Sequence, residues 1–353
     1  MAVPVGGAVF LNISNALSEE TLDILCNASG SLSSMGLPKP DDILGWSRLQ
    51  EFVERHALPE SDQLVERLSP AIAGFSIAGV PVLDVRPRRW KQEKKVAIYM
   101  HDGLMLYTAA STLGRAALFA DDTALRVISV DYTLAPLSTF DEITNQVVNI
   151  VRAISTQGYK WEDILMVGEG SGAGLVIAAI LKIRNLALGL PAAAVLISPY
   201  IGLSSADDTD YPPQSLISSS FNEIFVEETK MSNDFGEGWK MHTAPIYADF
   251  FKGFSATLIQ GSTQGPWFNH FFRLYHVLDV AGVQVRLDLY EDMPQGFQLR
   301  KPDVPQSQIA RRKLREFARF RLYADGRPEL PNKYNTGKLE IFKNPKKRPH
   351  RTG

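Results

Sequence analysis

The feature that most limits what this chain can fold into is a long alternation between two hydrophobic periods. Short runs rich in valine and isoleucine read as strands: VPVLDVRP (80–87), KKVAIYMH (94–101), ALRVISVDYTL (124–134), ILMVG (164–168), AAAVLISP (192–199), SATLIQGS (255–262) and VQVRLDLYED (283–292). From the third run onward, segments with apolar residues at helical spacing lie between them: DEITNQVVNIVRAIST (141–156), SGAGLVIAAILKIRNLALG (171–189) and WFNHFFRLYHVLDVAG (267–282), with a last helix over roughly 305–322. Strands separated by helices build parallel sheets, because the crossover has to bring the chain back to the same end. The predicted fold class is therefore α/β, a mostly parallel central sheet with helices on both faces.

Before this alternation, residues 16–70 read as helices. SEETLDILCNA (18–28) opens on Ser18, and DDILGWSRLQEFVERHA (41–57) spaces Ile43, Trp46, Leu49 and Phe52/Val53 along one face. Between Ile201 and Tyr247 the pattern breaks into polar, turn-prone sequence, with EIFVEETKM (223–231) as a short helix. Residues 1–75 are thus expected to form an N-terminal helical cap segment, and residues 76–325 the sheet domain, with a cap insert over about 201–247. Ligands of open α/β folds bind at the C-terminal edge of the strands, where such a cap would sit; a surface excursion without a role is the alternative. From Gly326 to Gly353 there are eight Lys/Arg against Glu329 and Glu340, a net charge of +6, and this tail is expected to be solvated and flexible.

Charge and cysteine content narrow the function classes. Over 353 residues the formal net charge is −2, so the chain as a whole does not present itself to nucleic acid or a membrane surface. Only the tail 326–353, ending in KNPKKRPHR, offers a basic arm for an anion or a nuclear address. Cys26 is the sole cysteine, which excludes an internal disulfide framework and fits a reducing, intracellular and cytoplasmic setting. No signal peptide or membrane span is expected, and the sequons at Asn12 and Asn27 are then incidental. Adjacent His101 and Asp102, and the widely spaced His270 and His276, make no metal set, so neither metal nor cofactor is expected. GEGSGAG fits a loose dinucleotide fingerprint, but no acid lies between Val176 and Ala206 to hold a ribose, and GK[ST] is absent.

Several segments, taken in order, carry a resemblance: GVPVLDVRP, YMHDG, VDYTLAP, VGEGSGAG, LISPYIGL, TAPIYADF, SATLIQGS and AGVQVRLDLYEDMPQGF. From about Gly79 to Phe297 this series resembles the hormone-sensitive-lipase-like branch of the α/β-hydrolases. The resemblance implies an α/β-hydrolase fold with a helical cap and a Ser–His–acid triad, with the serine at the centre of G-x-S-x-G. Here those five positions read Gly168, Glu169, Gly170, Ser171, Gly172. By the same resemblance the acid position falls at Gln264 and the histidine position at Gln295. No Asp or Glu lies between Asp249 and Asp279, and no histidine between His276 and His350. Where the family has H-G-G-G, the chain has His101, Asp102, Gly103 and Leu104.

With no side chain at Gly170, and with amides at the two other positions, the sequence leads to the expectation of a chain that is not a functional serine hydrolase. It would be a non-catalytic ligand-binding, scaffold or assembly protein, with a small apolar ligand and a protein partner or second copy as its partners. The alternative is a lyase- or cyclase-type enzyme, or a residual hydrolase, reusing the old pocket. The candidate pocket residues are His101, Asp102, Gly103, Glu169 and Ser171, with acid–base chemistry falling to the imidazole and carboxylates. A pocket filled by Leu104, Phe268 or Phe297 would remove the lyase alternative.

Overall fold

The computed structural model describes residues 38, 42–201, 245–263, 268–291 and 293–323, and the backbone of 339–342. Helix α1 (Ile43–Leu68) leads into β1 (Ala71–Ile77), β2 (Val80–Arg86) and β3 (Val96–Met100). Then follow α2 (Leu113–Thr123), β4 (Arg126–Val130), α3 (Phe140–Thr156), β5 (Ile164–Glu169), α4 (Ser171–Asn185) and β6 (Ala193–Ile197). The last described part comprises β7 (Ala256–Ser262), α5 (Phe268–Val280), β8 (Val285–Tyr290), α6 (Phe297–Arg300), α7 (Pro305–Tyr323) and β9 (Leu339–Phe342). The strands form one nine-stranded sheet in the order β1-β2-β4-β3-β5-β6-β7-β8-β9. The pairs β1–β2 and β2–β4 are antiparallel, and every pair from β4 to β9 is parallel. The α/β expectation of a mostly parallel sheet is met.

Strands β3, β5, β6 and β8 are buried along their whole length, which is why they read as unbroken apolar runs. Their alternate residues face two separate cores. Val96, Ile98 and Met100 of β3 pack with Ile143 and Val147 of α3, Leu175 of α4 and Leu274 of α5. Ala97 and Tyr99 face the other way, onto Ala116 and Phe119 of α2 and Leu314 and Phe317 of α7. Helix α4 lies deepest: eleven of its fifteen residues are buried, so it shows almost no polar face. Helix α3 starts at a capping box in which Thr139 and Glu142 each satisfy the other's backbone N–H.

Three elements depart from the sequence reading. No strand is expected at 71–77, yet β1 forms there against β2. No helix is expected at 113–123, where α2 lies. The tail, expected to be flexible throughout, contributes β9, whose backbone pairs with β8; that part of the expectation is corrected. The expected helices at 18–28 and 223–231, the insert 202–244 and the basic end 343–353 lie outside the described residues.

Candidate functional site

Leaving β3, the chain moves to β4 on one side and then returns past β3 to β5 on the other. Loops following β3 and β5 therefore diverge and leave a crevice at the C-terminal edge. The first of these loops carries His101, Asp102 and Gly103, and the second carries Gly170 and Ser171.

Glycine makes the second loop tight. Gly170 has φ 54° and ψ −118°, a region that side-chain-bearing residues enter only under strain. A Cβ on Gly168 would come 2.6 Å from the Ala173 nitrogen, and one on Gly172 would come 2.7 Å from the carbonyl carbon of Met100. These glycines let α4 start directly against β3 and β5. The turn is pinned to its neighbour: Gly170 N–H donates to Ile197 O and Tyr200 N–H to Gly170 O, both at 2.9 Å.

Above Gly170 lies the Asp102 carboxylate, in the space that a Cβ at position 170 would enter. Its Oδ1 accepts from the Gly103 N–H at 2.8 Å and the Ser171 N–H at 3.0 Å. Oδ2 accepts from Arg300 at 3.2 Å. Ser171 Oγ accepts from the Leu104 N–H at 3.0 Å and stands 3.4 Å from Asp102 Oδ1. Asp102, Gly103 and Ser171 are all half-buried, so this group meets solvent.

His101 and Glu169 are placed differently. His101 is fully buried, stacked on Tyr132 with ring centroids 4.2 Å apart. Its Nδ1 lies 2.9 Å from Asp102 O and 3.0 Å from the Tyr132 hydroxyl, which itself donates to His101 O. Burial lowers its pKa to about 4, more than the Asp102 carbonyl and the Asp131 and Glu169 charges raise it. Glu169 is 1% exposed and accepts from Arg115 at 3.2 Å and from Tyr99 at 3.1 Å, with Arg300 Nε 3.6 Å away. Burial is the largest single influence on the Arg115 charge and lowers its pKa, but Glu169, Tyr107, Tyr99 and Asp102 together raise it above the ordinary arginine value. Tyr99 is held well above its usual pKa by burial and then by Glu169.

Neither His101 nor Glu169 projects into open space, and Leu104 and Phe297 are buried. The lyase- or cyclase-type alternative loses its acid–base pair. Gln295 is half-buried, and a Cβ on its neighbour Gly296 would come 2.8 Å from Glu169 Oε1, so this segment reaches the underside of the turn. Gln264 lies outside the described residues. Arg115 and Arg300 are the members that sequence reasoning missed. A signal existed for Arg115: one cation inside the apolar run GRAALFA needs a buried partner. Among the described residues, no group of three or more His, Cys, Asp or Glu could hold a metal ion, and no helix is long and apolar enough to cross a membrane.

The fold has counterparts in known proteins. The chain is 26% identical to an esterase of Acinetobacter venetianus over 74% of its own length and 87% of the relative's. It is 31% identical to an acetyl-hydrolase of Streptomyces hygroscopicus over 34% of this chain and 40% of that one. The crystal structure of esterase E25 superposes with TM-score 0.71 at 21% identity, covering 90% of this chain and 98% of the esterase. An esterase of the bacterial hormone-sensitive lipase family superposes with TM-score 0.65 at 21% identity, covering 78% and 98%. Relatives named for ester and acetyl-group hydrolysis overturn the expectation of a non-catalytic ligand-binding, scaffold or assembly protein. They equally overturn the expectation that the chain is not a functional hydrolase. A family model described as alpha/beta hydrolase fold matches residues 97–299, more than half of the chain, which therefore belongs to the α/β-hydrolase family.

Proposed function

We propose that this chain hydrolyses carboxylic esters of short acyl groups at the turn between β5 and α4. One observation carries the proposal: the Gly103 and Ser171 N–H groups converge on a single oxygen position, 2.8 and 3.0 Å from it. Two fixed donors at that range are what a carbonyl oxygen needs as it gains negative charge during acyl transfer. Asp102 Oδ1 marks the position. Gly170 has no side chain to attack with, and the neighbouring hydroxyl, Ser171 Oγ, is 3.4 Å from the marked oxygen. In this proposal Ser171 Oγ bonds to the acyl carbon, the alcohol leaves with a proton relayed by water, and a second water releases the acid. With Gln264 and Gln295 at the positions where the resemblance has an acid and a histidine, the proton moves without an imidazole. His101 serves as a neutral, buried support for the loop. The short acyl chain is the small apolar ligand, and Cys26 as the sole cysteine supports an intracellular setting.

The test is the turnover of p-nitrophenyl acetate and butyrate by the purified full chain. Turnover above buffer is expected, reduced by Ser171→Ala by at least about a hundredfold, the scale on which loss of a nucleophile acts. A chain that leaves both esters at the buffer rate, or a Ser171→Ala variant as active as the wild type, overturns the proposal.

A further inference from the structure

Asp102 is held too well to be an idle loop residue. Its carboxylate accepts from the Gly103 and Ser171 N–H groups at 2.8 and 3.0 Å, from Arg300 at 3.2 Å and from the Ser171 hydroxyl at 3.4 Å. The first two are the donors that an acyl oxygen would need. Arg300 is itself anchored, 3.6 Å from Glu169 Oε1, so the carboxylate sits in a cradle braced from the interior. The carboxylate also lies over the first turn of α4, where the helix dipole favours negative charge.

We propose that Asp102 is an internal occupant of the oxyanion site, which an incoming group must displace, and that it thereby selects what the site admits. The inference rests on the donors serving an acyl oxygen, as proposed above. A charged carboxylate is the stronger acceptor, so a neutral ester carbonyl takes the two N–H groups from Asp102 only part of the time, which slows ester turnover without stopping it. A ligand bringing its own negative oxygen competes better, and Arg300 remains to pair with whichever carboxylate lies nearest. The ligand class favoured is therefore the small carboxylate, which the hydrolysis of an ester also produces. Opening the site requires only that the carboxylate at position 102 be removed, since both donors are backbone groups.

Sodium butyrate binding, followed by amide NMR titration of the full chain, tests this. Asp102→Gly is expected to bind butyrate at least about tenfold more tightly than the wild type. Asp102→Asn keeps an oxygen for the two N–H groups but loses the charge, and is expected to bind butyrate with an affinity between those of the wild type and Asp102→Gly. Ser171→Ala placed on Asp102→Gly should leave binding intact, because the N–H at 171 remains. Butyrate binding thus reports on Asp102 alone, and the nitrophenyl ester assay reports separately on Ser171. Equal affinity of the wild type and Asp102→Gly overturns the inference. Should the glycine variant fail to fold, Asp102→Ala takes its place in the same titration. Tighter butyrate binding than the wild type's supports the inference, and equal binding refutes it.

Discussion

His101 donates nothing to the crevice and yet fixes its shape. Its ring is buried against Tyr132, its Nδ1 reaches the Asp102 carbonyl, and its pKa is lowered to about 4. An unfolded chain takes up that proton near pH 6.5, the ordinary histidine value. Above pH 6.5 both states are neutral and the group makes no difference. As pH falls from 6.5 to 4 the unfolded state gains a proton that the folded state refuses, so stability is lost across that window. By pH 5 the loss from this residue alone should be about 2 kcal/mol. Urea unfolding at pH 7 and pH 5 checks it. The wild type should lose more than His101→Gln over the same interval, and equal losses would show that the folded chain takes up the imidazole proton as readily as the unfolded one. This role was not legible from the pair His101–Asp102 in the sequence. Nothing local says that an imidazole beside a carboxylate will face inward while the carboxylate faces out.

At the scale of elements, the sequence was clearest where burial is symmetrical. β3, β5, β6 and β8 are covered on both faces, and their apolar runs have no other use. β1 was missed because AIAGFSI is exposed at every position but Ile77, so no apolar period marks it and its hydrogen bonds to β2 hold it. α2 was missed for the opposite reason: Gly114 to Ala120 are all buried, and a short helix apolar all round has no stripe to read. β9 hides inside a basic stretch whose charge points to solvation. Its backbone pairing covers the outer edge of β8. Exposed edges of that kind recruit other chains. Deleting 326–353 should therefore lower the melting temperature and produce concentration-dependent association in sedimentation velocity. A deletion variant that melts and sediments like the full chain would show that β9 does not guard the edge.

Across the whole molecule, the glycine turn and its two neighbouring loops could be located from sequence, because their residue types are dictated locally. The charge network beneath them could not, because it joins segments far apart in the chain. Arg115 comes from α2 on one side of the sheet, Glu169 from the end of β5, and Arg300 from α6 near the C-terminal end of the sheet domain; Asp102 closes the chain of contacts above Gly170. Such a network ties the early and late halves of the fold to one position, so neither half should melt by itself. Removing the Glu169 charge leaves Arg115 only 8% exposed without its carboxylate partner. An uncompensated buried charge typically costs about 3–5 kcal/mol. Glu169→Gln keeps the shape and removes the charge. Its unfolding in urea should move to lower concentration, by the shift that this loss of free energy implies, with tryptophan fluorescence and far-UV circular dichroism moving together. The five tryptophans, from Trp46 to Trp267, report on tertiary surroundings along the chain, whereas the dichroism reports on its helices. Coincident transitions in both proteins would show that the network couples the halves into one cooperative unit. A fluorescence transition that shifts while the dichroism stays in place would show that Glu169 holds tertiary packing without coupling the halves into one unit.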